Sequence, residues 1–379
     1  MRKIAIFSGK RGGFGAMLQL MEMINNDPQM ELQLIASDMH LQETFGSTLT
    51  EMEARFSVTA TVDMGQYDDT KLGRAMALGI CVSKLAQVLS ELRPDIIVLL
   101  GDRGETLAAA MCAVEMDIPI AHIQGGDISG GVDDIHRHAI TKLSHYHFAQ
   151  NERQRNRVVK LGEPAHHVWN SGAPYVDNLM SQDLVSDEYV REQFNIPLAH
   201  PYFIVLFHPN TYHPESSYDE MKLILNTLAK QPEYKVVIYP CSDPGYAGII
   251  NAIQEFMDAP KFITLKTIEA LLFLSLLRSA RAIIGNSSGG IIEAPYFNIP
   301  FILVGDRQDG REFSSNVIEV PPDGIAISKA LERIDNPTFR DNMKSQSHPF
   351  GNGNACKMIF SVLGTLPLGQ DIFRKRITY

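Results

Sequence analysis

The chain has 379 residues, 45% of them hydrophobic and 21% charged, with a formal net charge of -10 at pH 7. These proportions fit a globular protein of about two ordinary domains, and the acidic balance excludes a broad nucleic-acid surface as a partner, since Lys and Arg are scattered except in Arg374-Lys375-Arg376. Cys81, Cys112, Cys241 and Cys356 lie far apart with no Cys-x-x-Cys, which signals neither a zinc site nor a disulfide framework. The chain turns polar directly after Ile4-Ala5-Ile6-Phe7, too soon for a signal peptide, and no stretch reads as the roughly 20 apolar residues of a bilayer span. A cytoplasmic protein with no membrane partner is expected.

Short apolar runs alternate with helical stretches from the start: Ile4 to Phe7, Leu32 to Ala36, Ile96 to Leu100 and Ile118 to Ile123. This is the pattern of βαβ units around a parallel sheet, and Ile96-Ile97-Val98-Leu99-Leu100, with no polar alternation, reads as a strand covered on both faces. A second series follows at Tyr202 to Phe207, Tyr234 to Tyr239, Lys261 to Leu265, Ala282 to Gly285 and Ile299 to Val304. Asn170-Ser171-Gly172-Ala173-Pro174 is turn-forming and marks the hinge, and Asp183 to Asn195 carries a helical pattern opening the second half. The expected domains are residues 1–171 and 172–363, with a tail 364–379 returning to the first after the helical stretch Ala355 to Leu363.

Polar residues cluster at the carboxyl ends of these strands, where open α/β sheets bind ligands. Ser8-Gly9-Lys10-Arg11-Gly12-Gly13-Phe14-Gly15 precedes an expected helix Ala16 to Ile24; its glycines allow close backbone approach and its two cations can meet phosphate oxygens. It matches neither a Walker A loop nor the spaced Gly-x-Gly-x-x-Gly of dinucleotide sites, so no redox cofactor is signalled. Between His122 and His147, Asp127, Asp133 and Asp134 fall in or beside a glycine-rich loop, and a helix beginning near Asp133 projects His136, Arg137 and His138. Acid and base chemistry needs such groups gathered in unlike environments. The histidine pairs 136/138 and 145/147 point apart on a helix or on a strand, so no metal is expected. His208-Pro209 and the run Tyr239 to Gly245 end two strands of the second series. Asn286-Ser287-Ser288-Gly289-Gly290 follows a third and reads either as a diphosphate-binding turn, with Glu293 in reach of a ribose, or as an ordinary turn capped by Ser288.

Taken together, Gly101-Asp102-Arg103-x-Glu105, Pro119-Ile120-Ala121-His122-Ile123-x-Gly125-Gly126-Asp127, Arg137-His138-Ala139-Ile140-Thr141-Lys142, Phe207-His208-Pro209, Gly285-Asn286-Ser287-Ser288, Ile292-Glu293-Ala294-Pro295 and Gly305-Asp306-Arg307-Gln308-x-Gly310-Arg311 resemble the UDP-N-acetylglucosamine 2-epimerase family, and more closely its hydrolysing branch. The resemblance implies an α/β fold of two Rossmann-like domains facing a central cleft (GT-B-like). It also implies a UDP-sugar substrate, loss of UDP by elimination to a 2-acetamidoglucal, hydration to a free 2-epimeric sugar, no cofactor, and a homo-oligomer, dimer or tetramer. Carried over, it makes Asp102, Gln124, Asp127, Asp133 and His208 the catalytic set. It makes Arg11, Arg137, His138, Asn286, Ser287, Ser288, Gly289, Glu293, Arg307, Asn352 and Asn354 the contacts to UDP and sugar, and Ser242 and Asp243, just past the carboxyl end of the Tyr234 to Tyr239 strand, are expected to join them. Two positions depart from the family pattern. Gln124 stands where Glu or His is usual, and Gly12-Gly13 replaces a pair that includes a glutamate, opening space near the sugar. UDP-N-acetylglucosamine is the leading substrate, with UDP-2,4-diacetamido-2,4,6-trideoxyglucose next. The non-hydrolysing epimerase, a GT-B glycosyltransferase and a nucleotide-sugar binding protein are the other readings.

Overall fold

A computed structural model describes residues 1–66, 68–180, 184–346 and 348–379. The apolar runs form two parallel sheets. The first holds β1 (Arg2–Ser8), β2 (Met30–Ser37), β3 (Val58–Val62), β4 (Ile96–Leu100), β5 (Ile120–Ile123), β6 (Tyr146–Ala149) and β7 (Val168–Asn170) in the order β3-β2-β1-β4-β5-β6-β7. The second holds β8 (Tyr202–Leu206), β9 (Tyr234–Ile238), β10 (Phe262–Leu265), β11 (Ala282–Gly285), β12 (Phe301–Val304) and β13 (Val317–Val320) in the order β10-β9-β8-β11-β12-β13. Every strand pairing is parallel, with helices on the faces, so central strands are apolar on both sides; all five residues of β4 are buried. The fold is the GT-B-like pair of Rossmann-like domains.

Each order reverses beside its first strand, between β1 and β4 and between β8 and β11. At such a reversal the following crossovers leave on opposite faces and open a crevice at the carboxyl ends. Ile4 pairs with Ile96 and Ala282 with Phe203, and this register brings the loops after β1 and β4, and those after β8 and β11, level with one another. Gly285 closes β11 at φ +140°, where a Cβ would stand 2.1 Å from the Leu206 carbonyl oxygen, so only glycine lets the next turn lie flush on β8.

Several expectations change. The first glycine-rich segment winds into helix at once, as Arg11–Ala16, and after a break at Met17 continues as Leu18–Asn25; Lys10 is its last extended residue. The helical pattern expected over Asp183 to Asn195 becomes Asp187–Gln193, opened by the Ser186 hydroxyl, which accepts the Tyr189 N–H at 3.2 Å; Asp183 lies outside the described residues. The edge strands β3, β7 and β13 are short and partly polar, and their sequences carry little pattern. The chain returns to the first domain earlier than residue 364. Helix Ala355–Thr365 packs on Leu18–Asn25, and the Asp177 carboxylate accepts the N–H groups of Ala355 (3.1 Å) and Cys356 (2.6 Å) at its start. Pro174–Leu179 likewise packs on the first domain's helices.

Among the described residues one helix, Lys71–Leu92, is long and apolar enough by length and composition to cross a membrane, against the expectation that no stretch would be. Its inner line, Ala77, Cys81, Leu85 and Leu89, is buried in the first domain's core.

Candidate active site

The loops leaving β1, β4 and β5 face those leaving β8, β9, β11 and β12 across one cleft. Lys10, Arg11, Asp102, Arg103, Gln124 and Asp133 line it from the first domain; His208, Cys241, Ser287, Ser288, Gly289, Glu293, Arg307, Gln308 and Arg311 line it from the second.

Asp102 follows β4, and the side chain of Arg137, fully buried on helix Val132–Leu143, donates to its carboxylate through Nη2. Burial opposes ionisation of Asp102, but Arg137, Lys10 and Arg311 together hold it well below the usual carboxylate range. Asp133 sits in the first turn of that helix, 3.5 Å from the Arg307 guanidinium. Burial, then the negative charges of Asp102 and Asp243, push its carboxyl up to about 6. Two neighbouring carboxyls are thereby driven apart, one fixed as an anion and one able to take and return a proton near neutrality.

His208 is set from below. The Cys241 N–H donates to its Nδ1 at 3.0 Å, so the neutral ring carries its proton on Nε2. Burial and the Arg307 charge keep the ring neutral by lowering its pKa well below the ordinary value. The side chain of Asn286 brackets the same residue, accepting the His208 N–H at 2.7 Å and donating to its carbonyl at 2.8 Å. Ser287, Ser288 and Gly289 form the turn beside it; Ser288 makes no capping bond, and the helix that follows, Gly289–Ile292, is a single turn. Burial alone pushes the Glu293 carboxyl up to about 8. Arg311 aims two buried N–H groups, Nε and Nη1, that find no hydrogen-bond partner.

The structure therefore gathers Asp102, Gln124, Asp133, His208, Arg11, Ser287, Ser288, Gly289, Glu293 and Arg307 at the cleft. Other expected contacts lie outside its lining. Asp127 is buried behind it, its Oδ2 3.3 Å from Arg311 Nε and its Oδ1 accepting the Ile128 N–H at 3.0 Å, so it holds Arg311 rather than substrate. Arg137 is consumed by Asp102, Asp134 (2.7 Å) and Ser129 (3.0 Å). His138 Nε2 faces Asp134 at 3.4 Å. Ser242 and Asp243 turn into a buried ionic cluster beneath the cleft: Arg103 donates to Ser242 Oγ at 2.8 Å, Asp243 at 2.7 Å and Glu105 at 2.7 Å, and lies 3.2 Å from Asp38. Asn286 serves the His208 loop, and Asn352 and Asn354 are exposed and bonded to each other at 3.0 Å.

Arg103, Gln308, Arg311 and Tyr175 line the cleft without having been singled out as site residues. Arg103 and the run Gly305 to Arg311 stood in plain view as motif residues; Tyr175 carried no signal. Gln124 holds φ +74°, its N–H donating to the Phe148 carbonyl at 2.8 Å, a conformation that aims its amide into the cleft at a backbone position unusual for a side-chain-bearing residue.

Two Rossmann-like domains that face each other through the loops at the carboxyl ends of their strands, around an acid- and cation-lined cleft, define a GT-B-like protein whose cleft offers cations to an anionic ligand. The family model for UDP-N-acetylglucosamine 2-epimerase matches residues 22–364, and the chain belongs to that family. It is 31% identical, over all of both chains, to the UDP-N,N'-diacetylbacillosamine 2-epimerase (hydrolyzing) of Legionella pneumophila. It is 33% identical, over 88% of this chain and 87% of the other, to a UDP-N-acetylglucosamine 2-epimerase of Neisseria meningitidis serogroup B. In fold it is similar to the Methanocaldococcus jannaschii UDP-GlcNAc 2-epimerase solved with UDP-GlcNAc and UDP, at a TM-score of 0.79 and 21% identity over 96% of this chain and 99% of that one.

Proposed function

We propose that this protein is a hydrolysing 2-epimerase: it releases UDP from a UDP-linked 2-acetamido sugar and hydrates the resulting glucal to the free 2-epimer. The observation that carries the reading is the Asp102 and Asp133 pair, driven to unlike proton affinities on one wall, facing the Ser287-Ser288-Gly289 turn on the other. The Asp133 carboxylate takes the C2 proton; that C–H electron pair becomes the C1=C2 double bond, and the C1–O bond breaks with its electrons going to the β-phosphate of UDP. Charge developing on the departing diphosphate meets Lys10, Arg307, Arg311 and the His208 Nε2–H, donors already in place before the reaction begins. Water then adds across the double bond, its hydroxyl to C1 and its proton to C2 on the face opposite the one from which the first left, and the proton held by Asp133 passes to solvent, restoring the carboxylate. The fixed Asp102 anion stabilises positive charge at C1 in both halves and keeps Asp133 basic.

Two substrates are separated by specific observations. UDP-2,4-diacetamido-2,4,6-trideoxyglucose is favoured by the Legionella relative, matched over the full length of both chains, and by open space beside Gly12, where a Cβ would meet nothing within 4 Å. UDP-N-acetylglucosamine is favoured by the Neisseria relative at 33% identity. Incubation with each sugar, following UDP release and the free sugar by anion-exchange chromatography, separates them. The reading predicts UDP with a free 2-epimer from one of the two, and it fails if both return unchanged or yield only the UDP-linked 2-epimer. The four buried free thiols support a reducing, cytoplasmic setting.

A further inference from the structure

We propose that Thr211, on the loop after β8, is a positioning residue for Asp133: its hydroxyl caps the helix that carries Asp133 from the opposite wall of the cleft. The inference rests on the reading of Asp133 as the proton acceptor. A helix leaves its first N–H groups without partners among its own carbonyls, and a polar side chain on the residue before the helix normally supplies one. Helix Val132–Leu143 lacks that device, because the residue before it is Gly131. The Val132 N–H donates instead to Thr211 Oγ1 at 3.0 Å, and the two residues belong to different domains. Val132 directly precedes Asp133, so this bond fixes the backbone from which the Asp133 carboxyl projects.

The glycines ahead of the helix fit the same contact. A Cβ on Gly131 would stand 3.0 Å from Thr211 Oγ1, and one on Gly130 only 2.1 Å from the Asp306 carbonyl oxygen, so this loop lies directly on the second domain. The Gly130 N–H donates to the Arg307 carbonyl at 3.1 Å, a backbone tie beside the cap. Thr211 is itself held in place. The Asn210 side chain donates to Asp306 Oδ1 at 2.7 Å and accepts the Tyr212 N–H at 3.0 Å, bracing Thr211 on both sides. The cap forms only when the two walls stand together. It then sets the Asp133 carboxyl against the charged groups that face it: Asp102 and Arg103 from the first domain, Asp243 and Arg307 from the second. Thr211 performs no chemistry on the substrate; it acts through the helix start, where a small misplacement of a catalytic group is costly.

Thr211→Val keeps the side-chain size and removes the acceptor, and Thr211→Ser keeps the acceptor. NMR on the full chain tests both without reference to turnover. In Thr211→Val, amide hydrogen exchange at Val132 is expected to quicken about tenfold or more. Water then reaches the Asp133 carboxyl, and its titration midpoint, about 6 in the wild type, is expected to move down by about one pH unit toward the ordinary carboxylate value. Turnover of the accepted sugar should show kcat lowered about tenfold with KM within about twofold, and the acid limb of kcat/KM displaced in the same direction as the NMR midpoint. Thr211→Ser is expected to restore all of these. A folded Thr211→Val variant with wild-type exchange at Val132 and a wild-type Asp133 midpoint overturns the proposal, and so does a Thr211→Ser variant as impaired as Thr211→Val. A wild type inactive on both sugars, with exchange and titration changed as expected, leaves the cap in place and overturns only the hydrolysing reading.

Discussion

Among single residues, like groups are set apart by unlike environments. Asp133→Asn keeps the shape of the cleft and removes the proposed base, so kcat is expected to fall by about 10²- to 10⁴-fold while UDP affinity, measured by calorimetry, stays within a few-fold. With the Asp133 carboxyl raised to about 6, kcat/KM is expected to climb with pH through that value and level off above it; a profile flat from pH 5 to 8 would contradict the assignment. Glu293 gives a stability prediction of definite sign. Its folded-state pKa, pushed up to about 8 by burial, lies above the ordinary value of 4.5, so its protonated form favours folding below 4.5 and that contribution is lost as pH rises toward 8. Glu293→Gln is therefore expected to match the wild-type Tm at pH 4 and to exceed it at pH 8 to 9. The residue types of the site were legible in the sequence; their orientation was not. Asp127 and Asp133 flank one glycine-rich loop and look equivalent as letters, yet one backs Arg311 and the other faces the cleft, because only the second lies in the first turn of helix Val132–Leu143.

At the scale of elements, placement follows from strand ends. The turn after β11 sits where it does because Gly285 tolerates φ +140° against the Leu206 carbonyl. Gly285→Ala is expected to lose UDP binding at least 10²-fold by displacing that turn, with the far-ultraviolet spectrum of the first domain retained. The long apolar strands β1, β4, β8 and β11 were read nearly to the residue, since continuous hydrophobicity has one meaning in a parallel sheet. The segment after β1 was misread because its glycines suggest a loop, whereas three of them, Gly12, Gly13 and Gly15, fall inside the helical turn Arg11–Ala16. Tertiary packing on Leu100 and Ala270 overrides their weak helix propensity.

At the scale of the whole molecule, the two domains are joined by bonds that no local pattern announces. Asp69, from the first domain, accepts the N–H groups of Gly245 (2.6 Å), Tyr246 (3.2 Å) and Ala247 (2.9 Å) at the start of helix Tyr246–Gln254, capping it from outside its own domain. Asp69→Ala is expected to cost about 1 kcal/mol. Arg103 is the centre of the larger tie, meeting Asp38 and Glu105 of its own domain and Ser242 and Asp243 of the other. Arg103→Met leaves buried carboxylates uncompensated and is expected to destabilise by about 3–5 kcal/mol, splitting a single calorimetric transition into two. Ser242 and Asp243 were read as substrate contacts because they end a strand at the ligand edge; one layer deeper, they hold the domains together around Arg103.

In the proposed reaction a proton leaves C2 as UDP departs. Proton NMR of the enzyme with UDP-N-acetylglucosamine and, in parallel, UDP-2,4-diacetamido-2,4,6-trideoxyglucose in D₂O reads this directly. Free UDP and a free 2-epimeric sugar carrying deuterium at C2 are expected from one of them. Release of UDP with hydrogen retained at C2 would contradict it, since that is simple glycosyl hydrolysis and leaves Asp133 with no proton to remove.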